Sequence, residues 1–168
     1  MSDSKLALPL AVVTVSDTRT EESDKSGRVL VGCLEEAGHK LHSKQIVKDD
    51  VYQLRAEVSG LILDSEVKGI LMTGGTGFTD RDNTLKAIQP LLEQKIDGFG
   101  ELFRQLSYQE IGTSTIQSRV FAGLSNRTIV FCLPGSPGAC RTGWEGIIRY
   151  QLDSTHRPCN FVDKLITD

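Results

Sequence analysis

The residue types best suited to chemistry lie in one glycine-rich segment, Thr73-Gly74-Gly75-Thr76-Gly77. Glycines let a backbone approach a ligand closely, and successive N–H groups can hold a phosphate, to which threonine hydroxyls add further donors. The segment lacks the Gly-Lys-Ser/Thr of a P-loop and the G-x-G-x-x-G pattern of a dinucleotide-binding turn. The sequence therefore predicts either a phosphate-binding loop of another kind or a tight turn without a ligand.

Carboxylates flank this segment in the chain and in the predicted sheet. Asp80 and Asp82 follow the glycines, and Asp49 and Asp50 follow the second predicted strand. Carboxylates beside a phosphate site commonly hold a divalent ion that bridges protein and phosphate oxygens. Aspartate at such places also caps helices, so a metal site and helix capping both remain open. Capping is the plainer interpretation of any single aspartate, whereas for a pair drawn from both loops at one sheet edge a metal site and capping are equal alternatives.

A second candidate loop, Pro134-Gly135-Ser136-Pro137, ends the last apolar strand. The N-terminus of the following helix and the Ser136 hydroxyl could bind an anion, and Arg141, one turn further, could pair with a phosphate. A proline-set turn followed by a surface arginine explains the same residues equally well.

Two more polar segments could line the same pocket. Ser16 and Asp17 follow the first strand, where ligand contact and ordinary turn chemistry are equal alternatives. Residues 112–119, rich in hydroxyl side chains, lie between a helix and a strand, and a solvated loop is their plainer interpretation. There is no Ser-His-Asp or Cys-His arrangement, so the sequence does not predict a covalent nucleophile.

Alternating strands and helices must position these loops. Apolar runs predict strands over residues 10–15, 41–47, 67–72, 119–124 and 128–133, and amphipathic helices follow the first three and the last. A further helix follows Gly98, and the last two strands form a hairpin. We expect a three-layer α/β/α domain with a mostly parallel sheet and an antiparallel edge hairpin. Ligands bind beyond the carboxyl ends of such strands, so loops 16–19, 73–82 and 134–141 should converge. The predicted helix N-caps are Ser26, Asp49 or Asp50, and Asp82.

Composition limits the class of protein. The chain has 168 residues, 39% of them hydrophobic, which suits a single domain, with residues 1–8 as a flexible arm. A net charge of -3 without a basic run argues against nucleic-acid and membrane-surface binding. The sequence shows neither a signal peptide nor an apolar run that could span a membrane, so a cytoplasmic location is expected. The cysteines and histidines lack zinc-site spacing; we expect packed cysteines apart from an exposed Cys159, and surface histidines at 39, 42 and 156.

The ordered set of motifs resembles the MoaB/MogA family of molybdopterin-binding proteins, and is most similar to the MoaB branch. The glycine segment followed by Asp82 and the Pro134-Gly135-Ser136 turn carry the likeness. It extends over residues 10–162 and includes these stretches: Thr14–Asp17, Gly98–Ser107, Glu110–Arg119, Cys140-Arg141 and Arg157–Phe161.

The resemblance implies a trimer or hexamer that binds molybdopterin, a pterin with a dithiolene and a terminal phosphate. In catalytic members, Mg²⁺ and ATP serve to adenylylate that phosphate, with release of pyrophosphate. The two aspartates important for this reaction correspond to Asp49 and Asp82, which would hold the Mg²⁺. Further ligand-lining positions correspond to Ser16, Asp17, Gly75, Thr76, Ser107, Ser114 and Ser136. The alternative is a non-catalytic protein that carries the pterin to a partner in the same pathway.

Overall fold

The computed structural model describes residues 4–166, and within them six strands form one sheet in the order β2-β1-β3-β6-β5-β4. The strands are β1 (Pro9–Val15), β2 (Lys40–Val47), β3 (Gly69–Thr73), β4 (Gln94–Lys95), β5 (Phe121–Ser125) and β6 (Thr128–Leu133). Neighbours among β2, β1, β3 and β6 pair in parallel, whereas β5 pairs antiparallel with β6 and with β4. The predicted mixed sheet and its hairpin are confirmed. The sequence did not predict β4, because two exposed residues carry no hydrophobic pattern.

Helices cover both faces of the sheet. They are α1 (Lys25–Glu36), α2 (Val51–Leu63), α3 (Thr84–Ile88), α4 (Asp97–Ile111), α5 (Pro137–Gly143), α6 (Arg149–Gln151) and α7 (Val162–Ile166). A 3-10 turn, Gln89–Leu91, follows α3, another, Gly112–Gln117, follows α4, and a π-helical segment, Trp144–Ile148, joins α5 to α6. No helix among the described residues is both long and apolar enough to cross a bilayer.

The alternation of side chains along β1 shows how the two layers form. Leu10 and Val12 are buried in a core with α1, α4 and the π-helical segment, whereas Ala11 and Val13 belong to a second core with α2 and α3. Successive residues of a strand point to opposite faces, so a continuous apolar run is what a strand buried on both sides requires.

Three of the predicted details are wrong in the structure. Asp24, not Ser26, caps α1, since its carboxylate accepts from the Gly27 N–H at 2.9 Å and from the Thr14 hydroxyl at 2.7 Å. Asp82 does not cap α3, which begins after Asn83 without a side-chain cap. His39, predicted at the surface, is buried and only 5% exposed. Its Nδ1 accepts a hydrogen bond from the Leu8 N–H, and its ring packs edge-on against Trp144.

The amino-terminal segment, expected as an arm over residues 1–8, contacts the domain in its described part. Leu8 is buried, the Leu6 N–H donates to Ser154 Oγ at 2.9 Å, and Lys5 lies 3.5 Å from Asp153. Residues 1–3 of that prediction lie outside the described residues. The attachment follows from the apolar Leu8, which enters the sheet core directly before β1.

Candidate functional site

The loops that follow four parallel strands enclose an open cavity of about 470 Å³ at the carboxyl-terminal edge of the sheet. After β1 the chain turns to α1 on one face, and after β3 it turns to α3 on the opposite face. Loops that diverge in this way leave a crevice between the two strands, which is the usual ligand position in such sheets. The cavity is lined by Val15, Ser16, Asp17, Thr18, Asp49, Gly74, Gly75, Thr76, Gly77, Arg81, Asp82, Gln117, Ser118, Pro134 and Gly135.

The glycine segment forms the floor of this cavity in a conformation that needs glycine. Gly74 and Gly75 have φ values of +102° and +69°. The Gly74 N–H donates to Leu133 O at 3.0 Å, and the Thr84 hydroxyl donates to Gly74 O at 2.8 Å. A Cβ on Gly75 would lie 2.3 Å from Thr84 Oγ1 and 3.0 Å from Asp49 Oδ2. The Asp49 carboxylate therefore lies directly over bare backbone.

Asp49 is held at the cavity by the loop that begins α3. Its Oδ1 accepts from the Asn83 N–H at 2.9 Å, and the Asn83 amide donates to Asp49 O at 3.0 Å. Burial raises the pKa of Asp49, and the nearby charges of Asp82 and Asp17 raise it further, against the opposing bonds from Asn83. Asp49 does not cap α2; Asp50 does, through the N–H groups of Tyr52 and Gln53.

Asp82 lies beside Gly77, two residues further along the glycine segment, and its carboxylate is also held by hydrogen bonds. Its Oδ2 accepts from the Thr79 N–H at 2.9 Å and from the Thr79 hydroxyl at 2.6 Å. Burial alone would raise the pKa of Asp82, but the bonds from Thr79 and Gly77, together with the charge of Arg119, lower it. Asp82 is therefore the more readily ionised of the two aspartates.

Arg119 joins the loop after α4 to the glycine segment. Its guanidinium donates to Gly77 O and, at 3.5 Å, to Asp82 O, and its backbone N–H donates to Thr76 O at 3.1 Å. The guanidinium carbon also lies 4.7 Å from the ring centroid of the exposed Phe78. Arg119 thereby fixes the position of the loop that carries Asp82.

The loop after β1 contributes a charged pair. Asp17 accepts from the Asp49 N–H at 3.1 Å through Oδ1 and pairs with Arg81 through Oδ2. The Ser16 hydroxyl accepts from the N–H groups of Thr18 and Arg19, at 3.2 and 2.9 Å, which is ordinary turn chemistry at the cavity wall.

Ten of the residues expected from the sequence line the cavity, and five do not. Thr73 is buried and its hydroxyl donates to Pro134 O at 2.7 Å. Ser107 is buried in α4, and Ser114 is exposed on the following 3-10 turn. Ser136 caps α5, and the exposed Arg141 lines a separate cavity beside Trp144.

Sequence reasoning missed some lining residues. Val15 was not expected, and Thr18 and Arg81 lie in loops that were expected to converge but were not themselves singled out. Gln117 and Ser118 belong to the segment whose plainer interpretation was a solvated loop. A basic residue between Asp80 and Asp82 was the available signal for Arg81. Its pairing with Asp17 depends on a contact between residues 64 positions apart.

The chain is similar in sequence and in fold to known proteins. Residues 11–154 match the family model described as "Probable molybdopterin binding domain". The chain is 51% identical over 152 residues to the Escherichia coli (strain K12) protein named "Molybdenum cofactor biosynthesis protein B", covering 90% of this chain and 89% of that protein. A crystal structure of a molybdenum cofactor biosynthesis protein B is similar at a TM-score of 0.85 and 46% identity, covering 88% of this chain and 92% of that one. The tungsten cofactor synthesizing protein MoaB from Pyrococcus furiosus follows at a TM-score of 0.76 and 35% identity, covering 84% and 91% of the respective chains.

Proposed function

The chain belongs to the family of the probable molybdopterin binding domain, and we propose from this membership that it acts in molybdenum-cofactor biosynthesis by adenylylating molybdopterin. Its relatives' names support the pathway. In the proposed reaction, an oxygen of the pterin's terminal phosphate attacks the α-phosphorus of ATP. The bond from that phosphorus to the β-phosphate oxygen breaks, and pyrophosphate leaves.

One observation carries the proposal: two aspartates from separate loops line one cavity across a floor of glycine backbone. Asp49 Oδ2 would lie only 3.0 Å from a Cβ on Gly75, and Asp82 Oδ2 only 2.8 Å from one on Gly77. Glycine therefore leaves room for a polyanionic group next to both carboxylates. Adenylyl transfer requires the two substrates to be positioned and the phosphate charges to be neutralised. The attacking oxygen comes from the substrate, so no protein nucleophile is needed.

The aspartates fit a magnesium ion by their charge and their donor type. Repulsion from Asp82 and Asp17 contributes, after burial, to the raised pKa of Asp49. A cation bound beside these carboxylates would offset that repulsion. Mg²⁺ prefers one or two carboxylates together with water and substrate phosphate oxygens. Bound there, Mg²⁺ would neutralise the charge that develops on the transferred phosphate and on pyrophosphate.

A binding or carrier function is the second candidate, and the hydrogen bonds of Asp82 favour it. Asp82 Oδ2 already accepts two hydrogen bonds from Thr79, as the carboxylate of a purely structural aspartate would. On this alternative the pocket holds molybdopterin for a partner protein of the pathway and makes no use of ATP.

Mass spectrometry of the pterin product distinguishes the two candidates. The protein is mixed with molybdopterin, ATP and Mg²⁺, and we expect adenylylated pterin to form with the wild type and to be lost in Asp49→Asn and Asp82→Asn. Asp80→Asn is the matched control, because Asp80 is exposed and does not line the cavity. Pterin binding without any ATP-dependent product would reject the transferase and support the carrier.

We also propose that the chain forms a homo-oligomer. Four large apolar side chains are exposed on α4 and the 3-10 turn after it: Leu102, Tyr108, Ile111 and Ile116, with exposures of 42%, 54%, 55% and 70%. Several exposed apolar side chains within residues 102–116 support a contact with another protein surface. Sedimentation equilibrium should give three or six times the chain mass of 18.4 kDa, and a monomer would contradict this proposal.

A further inference from the structure

Three potential metal ligands meet at the other end of the sheet from the cavity. Within residues 4–166, one group of three His, Cys, Asp or Glu side chains has donor atoms that all lie within 4.8 Å of one another: His42, Asp64 and Glu66. His42 is the third residue of β2, and the turn that carries Asp64 and Glu66 leads into β3. Because β2 and β3 run parallel to β1, this group lies at the amino-terminal edge of the sheet, apart from Asp49 and Asp82.

A β-bulge places His42 in this group. Leu10 of β1 pairs with Leu41, but the next residue, Ala11, pairs with Ser43, so His42 is the extra residue on the edge strand. A bulge leaves the extra residue unpaired and changes the direction of its side chain, and bulges are over-represented both at sheet edges and next to active sites. Here the redirected imidazole reaches across to the end of α2, where its Nε2 lies 3.2 Å from Asp64 Oδ2.

The imidazole already has the second contact that a metal-bound histidine uses. His42 Nδ1 lies 3.2 Å from the Ser43 hydroxyl. With the proton on Nδ1 and donated to Ser43, the Nε2 lone pair faces Asp64 and is available to a metal ion. Metal-ligating histidines almost always donate their other ring N–H to a carboxylate, a backbone carbonyl or water, which fixes the tautomer and the ring orientation, and the Ser43 hydroxyl would take that place here.

The carboxylate side of the group is held by its own backbone. Asp64 ends α2, where its N–H donates to Gly60 O at 3.1 Å, and its Oδ1 accepts from the Glu66 N–H at 2.9 Å. The turn is closed by the Val67 N–H, which donates to Asp64 O at 3.1 Å. Asp64 Oδ2 is thereby left pointing at His42, and Glu66 is brought to the same side.

We propose that His42, Asp64 and Glu66 form a binding site for a first-row transition-metal dication of the zinc class. Donor atoms around a tetrahedral ion with bonds of about 2.1 Å lie roughly 3.4 Å apart, and the His42–Asp64 distance of 3.2 Å matches this spacing. One imidazole and two carboxylates neutralise a dication, and the imidazole selects against Mg²⁺ and Ca²⁺. Three ligands at an exposed sheet edge leave a coordination position open for water or another ligand.

Isothermal titration of the full-length, tag-free, metal-stripped protein with Zn²⁺ tests the site. Millimolar Mg²⁺ is kept in the buffer so that oxygen-only sites are occupied, and Cys159→Ser is used throughout because that thiol is exposed. We expect one Zn²⁺ per chain, with a dissociation constant of about 10 μM or lower. His42→Gln and Glu66→Gln should each weaken binding by at least about tenfold.

His156→Gln is the matched control, since that histidine lies outside the group, and its affinity should equal that of the parent. Co²⁺ in place of Zn²⁺ should give a visible absorption band that is lost in His42→Gln. Two results would overturn the proposal: no Zn²⁺ binding tighter than about 1 mM, or Zn²⁺ affinity that is unchanged by His42→Gln.

Discussion

Replacing Gly75 with alanine should lower the free energy of unfolding by several kcal/mol. With φ at +69°, an L-residue at this position has a strained backbone, which costs about 1–2 kcal/mol. The new Cβ would also lie 2.3 Å from Thr84 Oγ1 and 3.0 Å from Asp49 Oδ2. Overpacking of this kind costs typically about 1–3 kcal/mol. The two effects add to a loss of about 2–5 kcal/mol.

Gly60→Ala is the matched control, because the same added methyl group, in the last turn of α2, meets nothing within 4 Å beyond its chain neighbours and the nearby backbone of its own helix. Alanine is favoured over glycine in a helix by about 0.5–1 kcal/mol, so this variant should be stabilised. Urea unfolding followed by the fluorescence of Trp144, which is buried and the single tryptophan, measures both variants on one scale. The two substitutions should change the free energy of unfolding in opposite directions. A Gly75→Ala variant as stable as Gly60→Ala would refute the reasoning.

The same substitution also tests the cavity. To make room for a methyl group, Thr84 must move, and its hydrogen bond to Gly74 O must lengthen or break. The glycine floor would then shift beneath Asp49, so we expect molybdopterin affinity to fall even in conditions where the variant is fully folded. Unchanged affinity in folded Gly75→Ala would show that the ligand does not contact this backbone.

Three other predictions concern titration and positioning. Burial lowers the pKa of His39 from 6.5 to about 4, so the unfolded chain binds a proton that the folded chain does not between those pH values. The free energy of unfolding should therefore fall by up to about 3 kcal/mol as the pH drops from 6.5 to 4. In His39→Asn, the urea midpoints measured over the same pH range should lack this part of the fall. Asp17→Asn removes a like charge and should lower the pKa of Asp49 in carboxyl NMR titrations, although burial and Asp82 will keep that pKa above the ordinary value; an unchanged pKa would exclude repulsion from Asp17 as a cause. Arg119→Met removes the guanidinium bonds to the glycine loop and should weaken pterin binding about tenfold in a direct titration, whereas equal affinity would mean that the loop holds its position unaided.

The layers and the site edge could be predicted from sequence because their signals are local. The apolar runs that became β1, β3 and β6 are buried on both faces, and the loops after parallel strands must share one edge. The N-cap of α1 was assigned to the wrong residue because the choice depends on a tertiary contact. The Asp24 carboxylate also accepts a hydrogen bond from the Thr14 hydroxyl of β1. No local pattern carries that information.

Residues placed away from the cavity show a second limit. Arg141 directly follows the fully buried Cys140 in α5, so the helix phase turns it outward and away from the loops it was expected to join. Ser114 and Ser107 lie in one stretch of chain, but one is exposed and the other buried. The phase of each helix against the sheet decides such positions, and residue spacing alone does not.

The sheet order also governs when, during folding, a ligand can bind. The cavity needs the ends of β1, β3 and β6, which are neighbours in the sheet but lie at residues 9–15, 69–73 and 128–133 of the chain. Pairing of such distant strands closes long loops and is intrinsically slow. A chain still emerging from the ribosome has no pocket until the whole of β6 is available. Ligand present at 100 times its dissociation constant would then stabilise only the completed fold, by about 2.7 kcal/mol, and would protect the finished protein without rescuing a partly made one.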